Sequence, residues 1–279
     1  MSHFLPIKTL PIDRQTNVHI SFTGGKDSVL VLHLIKNTMP ATEIKHLITF
    51  SPITNKPFLA HPISFIKKQA EALHLPHMVH YIEGPDYLQA YRSHFTRFYA
   101  EDGIDALATG DIEDVCQGFT GNAAEPTGLR MLSPLFQMPR SELLRLFEEY
   151  QLKPMITLVS LAHIPLDVAI QLIGQFLDQK TISILETHNV RVACGDLKQR
   201  EVGGELNKHH LEVDLCGENG EFHTMCMDGS AFESRICIVD KEGKEVNGPN
   251  VPTKVSDDGK FLYLDYYTNP LSFALKEKE

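Results

Sequence analysis

Short apolar runs rich in β-branched residues alternate with stretches of helical period through the first half of the chain. Val18 to Phe22 reads as a strand, Asp27 to Lys36 as a helix, and Glu43 to Phe50 as a second strand. From Pro62 to Leu73, Ile63, Ile66, Ala70 and Leu73 recur at helical spacing, Lys67, Lys68 and Glu71 fall largely on the other side, and Pro62 suits a first-turn position. His77 to Ile82, Asp105 to Thr109 and Met131 to Phe136 read as three further strands, with a long helix over Asp86 to Glu101. This alternation predicts an α/β fold, a doubly wound parallel sheet with helices on both faces.

From Pro139 the pattern changes, with helices expected at Arg140 to Tyr150 and Leu166 to Phe176 around a short strand near Met155 to Val159. The expected organisation is an α/β domain over residues 1–136 and a smaller α+β domain over residues 137–279. The polar, glycine-containing segment from Ile112 to Arg130 is longer than an ordinary connection and reads as a lid, a substrate-binding segment or an insertion. Asn189 to His210, polar and carrying Gly203-Gly204, reads as a surface insertion.

Composition narrows the function classes. A chain of 279 residues that is 42% hydrophobic can bury a substantial core. Its 26 basic and 36 acidic residues give a net charge of −10, which argues against a broad electrostatic hold on nucleic acid or an anionic membrane and leaves room only for a local basic pocket. No basic start leads into an apolar run, and no stretch has the ~18 apolar residues of a membrane span, so a soluble cytoplasmic protein is expected. Five cysteines without a Cys-x-x-Cys pair fit reduced thiols rather than a disulfide framework or zinc knuckle.

The most informative stretch is Thr23-Gly24-Gly25-Lys26-Asp27-Ser28, between the first strand and the apolar helical run Val29-Leu30-Val31-Leu32. Paired glycines let successive N–H groups converge on one anion, the helix adds its positive end, and Lys26 adds a full charge. Thr23 and Ser28 supply hydroxyls, while Asp27 suits Mg²⁺ riding on the phosphates. A two-glycine turn capped by Asp27 or Ser28 explains part of this pattern, but not the lysine. The stretch is not a Walker A loop, which needs glycine where Ile20 stands, nor a dinucleotide fingerprint. It resembles the PP-loop, the Ser-Gly-Gly-x-Asp-Ser signature of ATP pyrophosphatases, with threonine for the first serine.

Ligands of an open parallel sheet bind beyond the carboxyl ends of its strands. Gly110-Asp111, directly after the fourth strand, is placed to face the phosphates or support the metal, unless Asp111 is a turn or capping residue. The end of the second strand at Thr49 is where backbone groups meet an adenine edge. His61 reads as a nucleotide or acceptor contact, or as an exposed loop histidine. Near the other end, Cys216-Gly217-Glu218-Asn219-Gly220-Glu221-Phe222-His223-Thr224 leads from a glycine-bounded turn into a strand. In an extended strand Glu221 and His223 share one face, giving either an acceptor or ammonia site or simply a turn with solvated glutamates.

Together these motifs resemble the diphthine-ammonia ligase family, also called the ATP-binding domain 4 family. The resemblance rests on Thr23 to Ser28, His61 followed by Gln69-Ala70-Glu71-Ala72-Leu73, Gly110-Asp111-Ile112, Pro134-Leu135-Phe136, and Cys216 to Thr224 with Asp228 and Phe232. It implies ATP and Mg²⁺ as cofactors, ammonium as nitrogen source and diphthine-bearing elongation factor 2 as partner, with the second domain binding the acceptor. Diphthine would be adenylated, pyrophosphate released, and AMP displaced by ammonia. The implied catalytic set is Lys26, Asp111, Glu218 and Glu221; the nucleotide set is Thr23, Gly24, Gly25, Lys26, Asp27, Ser28, Thr49, His61 and Gly110, with Asp27 on the metal. Two positions depart from members that make diphthamide: Glu113-Asp114-Val115-Cys116-Gln117 replaces a basic and aromatic stretch, and His223 replaces a glutamate. Related readings are a PP-loop enzyme acting on tRNA or another small acceptor, and a nucleotide-binding sensor without turnover.

Overall fold

The computed structural model describes residues 15–53, 59–114, 117–193, 212–268 and 271–278. Cys116, Cys194 and most of the Asn189 to His210 stretch lie outside these residues. Strand β1 (Thr16–Ser21) is the centre of a five-stranded parallel sheet, with β2 (Thr42–Pro52) and β3 (His77–Ile82) on one side and β4 (Ala106–Ala108) and β5 (Arg130–Leu132) on the other. Apolar residues fill both faces of the central strands because helices cover both, as a parallel sheet requires. Strand β5 ends early: Pro134 opens a turn in which Gln137 has φ 58° and donates its amide to Ile112 O at 2.8 Å.

Helix α1 (Lys26–Thr38) is apolar all round from Val29 to Leu32 and fully buried there, packed between the parallel sheet and the second half of the chain. Helix α2 (Ile63–Ala72) starts one residue later than expected, with Pro62 as its N-cap in extended backbone rather than in the first turn. Helix α3 (Tyr87–Ala100) is capped by Asp86, whose side chain accepts from Gln89 N at 3.0 Å. The long polar segment after β4 contains α4 (Phe119–Ala124) and a 3₁₀ turn, Glu125–Thr127. Ala123, Ala124 and Leu129 bury against Phe95 and Phe98 of α3, so this part of the segment is a wall of the sheet.

After α5 (Arg140–Glu149), β6 (Pro154–Ser160) is buried along its whole length. It pairs antiparallel with β7 (Phe222–Cys226) and β10 (Phe261–Leu264), and β9 (Thr253–Val255) completes the order β7-β6-β10-β9. A separate antiparallel pair, β8 (Arg235–Val239) with β11 (Ser272–Lys276), packs on α2, where Phe65 meets Phe273 edge-on at 5.0 Å. Helix α6 (Leu166–Leu172) stops short of the expected Phe176, which instead bridges to Met155. Helix α7 (Gln179–Ala193) takes in Asn189, whose amide brackets Val213 through contacts of 2.8 and 2.9 Å, so the start of the expected surface insertion is helical and tied down. The larger apolar cluster joins Val18, Ile20 and Leu32 to Ile156, Met225 and Leu264, and a smaller one gathers around Phe95 and Phe98. Among the described residues no helix is long and apolar enough to cross a membrane.

Candidate functional site

Strand order reverses between β1 and β4, so the loops after these strands open the crevice at the carboxyl edge. Thr23 to Ser28 occupies one side and Gly110-Asp111 the other. Gly24 has φ 77°, a left-handed backbone open to glycine. The Lys26 amide donates to Thr224 Oγ1 of β7 at 3.2 Å. Among the described residues nothing accepts from the amides of Gly25, Asp27 and Ser28 at the start of α1, an arrangement that suits an anion. The Ser28 hydroxyl is turned back onto Gly25 O at 3.1 Å, and Thr23 is exposed at the mouth. Gly110 lets the second loop press on the first: a Cβ there would stand 2.9 Å from Asp27 Cβ and 3.1 Å from Ser28 N.

Lys26 is 5% exposed, its Nζ 2.7 Å from Asp27 Oδ2 and 3.0 Å from Glu218 Oε1. Burial pulls its pKa down, but the charges of Asp27 and Glu218 and the hydrogen bond to Asp27 outweigh it and hold the ammonium above the ordinary lysine value. Glu218 is the more loosely held carboxylate. Burial, with help from Asp27, pushes it up to about 7 against the pull of Lys26 and Arg140. The other Asp27 oxygen, Oδ1, is buried without a partner, and Asp111 is raised by burial and then by Asp114 and Asp27, with Thr109 opposing. An orphaned carboxylate oxygen beside a second, uncomfortable carboxylate suits a hydrated Mg²⁺ that takes its remaining ligands from phosphate. Among the described residues no group of three His, Cys, Asp or Glu could hold a metal ion.

His61 borders Gly25 and meets His223 edge-on at 5.5 Å. Its Nδ1 is buried without a partner, and burial, His223 and Lys26 together push the ring down to about 3. His223 is open to solvent at its strand position, yet enclosure by protein and the Lys26 charge lower its pKa too.

One expected residue does not join this group. Glu221 is fully buried; its Oε1 accepts from Asp214 N at 2.9 Å and Asn219 Nδ2 at 3.2 Å, and its Oε2 from Asn219 N at 2.8 Å. β7 begins only at Phe222, so strand alternation does not carry Glu221 onto the face of His223; it fastens the turn that presents Glu218. The Thr49 hydroxyl donates to Phe22 O at 2.6 Å and lies 2.8 Å from His77 Nε2, so that what the second strand offers a ligand here is its backbone.

Three residues that the sequence left without a role support the site. Thr224 caps Lys26 from 198 residues away, a contact that no local pattern reveals. Gln69 is fully buried on the apolar side of α2, and a polar residue at that helical position was the available signal. Arg140 joins Asp214 Oδ2, 2.7 Å from its Nε, to Glu113, paired with its Nη2, and so ties the turn of Glu218 to the loop of Asp111.

A parallel sheet of order 3-2-1-4-5, helices on both faces and a glycine-lysine turn at the switch point define a doubly wound α/β fold, joined to an antiparallel α+β region. Residues 165–249 match the family model described as diphthamide synthase C-terminal domain, and this segment, which contains Cys216 to Thr224, gives the chain its likeness to the diphthine-ammonia ligases. Among curated proteins nothing matches. Eight chains of known structure match, one being the U34-tRNA thiolase NcsA from Methanococcus maripaludis with its 4Fe-4S cluster, 20% identical over 52% of this chain and 61% of the thiolase, with a TM-score of 0.39. The match therefore spans about three-fifths of the thiolase's length.

Proposed function

We propose that this protein is an ATP pyrophosphatase-type ligase that adenylates a carboxylate and amidates it with ammonia, the carboxylate being diphthine on elongation factor 2. One observation carries this reading: a buried ammonium, Lys26, stands between Asp27 of the glycine-rich turn and Glu218 of the segment that matches diphthamide synthases.

A carboxylate accepts an amine only after its oxygen becomes a good leaving group, and transfer of AMP supplies one. Lys26 and the open amides of Gly25, Asp27 and Ser28 would bind the pyrophosphate half of ATP and take up the charge that grows as it leaves. Asp27 and Asp111 would hold Mg²⁺, which supplies further neutralisation of the phosphates. Once Lys26 turns to phosphate, the place it leaves beside Glu218 would suit an ammonium ion, whose charge would take over the partnership and whose proton the carboxylate would accept as ammonia attacks. His61 and His223, both held neutral, would border the acceptor's path beside Gly25.

The test is incubation with Mg-ATP, ammonium and diphthine-bearing elongation factor 2. Release of AMP and pyrophosphate, with amide formed on the factor, is expected; ADP and phosphate would refute the class. AMP formation only with tRNA would move the substrate to nucleic acid. Thiol chemistry of that kind finds no support in Cys216, which is fully buried and pushed up to about 12 by burial. Nucleotide binding without any product would leave a sensor.

A further inference from the structure

The helix that follows His61 carries a buried glutamine with no part in the chemistry above. Gln69 is 0% exposed, and its Nε2 donates to two carbonyls from distant segments, Gly24 O at 2.8 Å and Cys226 O at 2.8 Å. Gly24 O also accepts from Cys226 N at 2.9 Å. Gln69 Oε1 is buried with no partner, a cost that filling the space with an apolar side chain would avoid. A Cβ on Gly24 would fall 2.1 Å from that oxygen.

In a trans peptide the carbonyl of one residue and the N–H of the next point in opposite directions. Drawing Gly24 O inward therefore drives the Gly25 N–H outward, into the crevice where nothing among the described residues accepts from it. Glycine on both sides of this peptide leaves its orientation unprotected by side chains, so its plane is set by the two donors that hold the carbonyl, the Cys226 amide and Gln69 Nε2, of which Gln69 is the side chain.

We propose that Gln69 is the positioning residue of the phosphate turn, setting the Gly24–Gly25 peptide so that the Gly25 amide faces the anion. The proposal rests on the reading that this turn binds the pyrophosphate half of a nucleotide. It also accounts for the residue type. Glutamate presents only acceptors to two carbonyls, and methionine fills the volume but donates nothing.

Inorganic pyrophosphate and adenosine, titrated separately by calorimetry into the full-length protein and its Gln69→Met and Gln69→Glu variants, test it. Pyrophosphate affinity should fall at least tenfold while adenosine affinity stays within twofold. Unchanged pyrophosphate binding, or an equal loss for both probes, overturns the proposal. Amide NMR of the unaltered protein keeps the question open to decision even where a variant fails to fold: pyrophosphate should shift the Gly25 resonance, and a resonance that does not move sinks the role of Gln69. Failure of the unaltered protein to bind pyrophosphate removes the reading of the turn and this proposal together, whereas pyrophosphate binding with indifferent Gln69 variants removes this proposal alone.

Discussion

A lysine shared by two carboxylates and almost closed to water is costly to take apart by halves. Replacing Lys26 with methionine keeps the volume of the stem but leaves Asp27 and Glu218 facing each other without a cation. AMP release should fall by about 10²- to 10³-fold, the usual loss when one charge-stabilising donor is removed, with the far-ultraviolet spectrum unchanged. Glu218 makes a separate prediction. Its pKa is raised by burial to about 7, so a rate that needs its carboxylate should climb as pH rises through about 7. In Glu218→Gln the rate should be lower and that acid limb absent; a limb that persists assigns the titration to another group. Lys26 and Asp27 were legible because a lysine wedged between paired glycines and a helix has few structural uses. Glu221 was not, because what its oxygens bind depends on turn closure rather than on residue type.

Where elements meet, the crevice depends on close backbone approach. The loop after β4 touches the first turn of α1 at Gly110, and the contacts a Cβ would make there include backbone atoms that cannot swing away. Gly110→Ala should therefore part the two loops and weaken ATP-analogue binding more than it lowers the melting temperature; the reverse order would make Gly110 a packing residue only. On the same helix, His33 is fully buried, its Nδ1–H donating to Val29 O at 2.8 Å and its Nε2 accepting from Ala231 N at 3.0 Å. His33→Leu leaves the Ala231 amide unsatisfied and should cost about 1–3 kcal/mol in urea unfolding. The parallel strands were readable because burial on both faces writes itself as apolar runs, as in Val18 to Phe22. Helix α7 was overlooked because its buried stripe, Ile182 and Leu185, is continued by His188 and flanked by polar residues; its start, where Asp178 Oδ1 accepts from the amides of Lys180 and Thr181, was the better sign.

Across the whole molecule, burial leaves several imidazoles neutral. His19 is pushed down to about 3, His33 to about 4 and His80 to about 4, in each case chiefly by burial. These are depressed values for a base, so below about pH 6.5 the unfolded chain binds protons that the folded chain refuses. Stability is full above that pH and falls as pH drops toward 4, each group contributing up to ~1.4 kcal/mol per pH unit. Urea midpoints measured from pH 7 to pH 4 should fall steeply, and His19→Gln should reduce the slope by one proton's worth; a flat profile would show that the rings titrate freely. The α/β arrangement of the first half was legible apart from α4 and the early end of β5, whereas the pairing of β7 against β6 and its meeting with the glycine turn were not, since both join residues far apart in sequence.

That meeting carries a consequence for synthesis. The turn at residues 23–28 is braced by Thr224 and Cys226. As the chain leaves the ribosome, the anion cradle is translated early but cannot be finished until β7 emerges. On the proposed reading of the turn, a nascent amino-terminal half lacks the braces of the nucleotide site, and nucleotide capture should begin only with a chain that has already closed on itself.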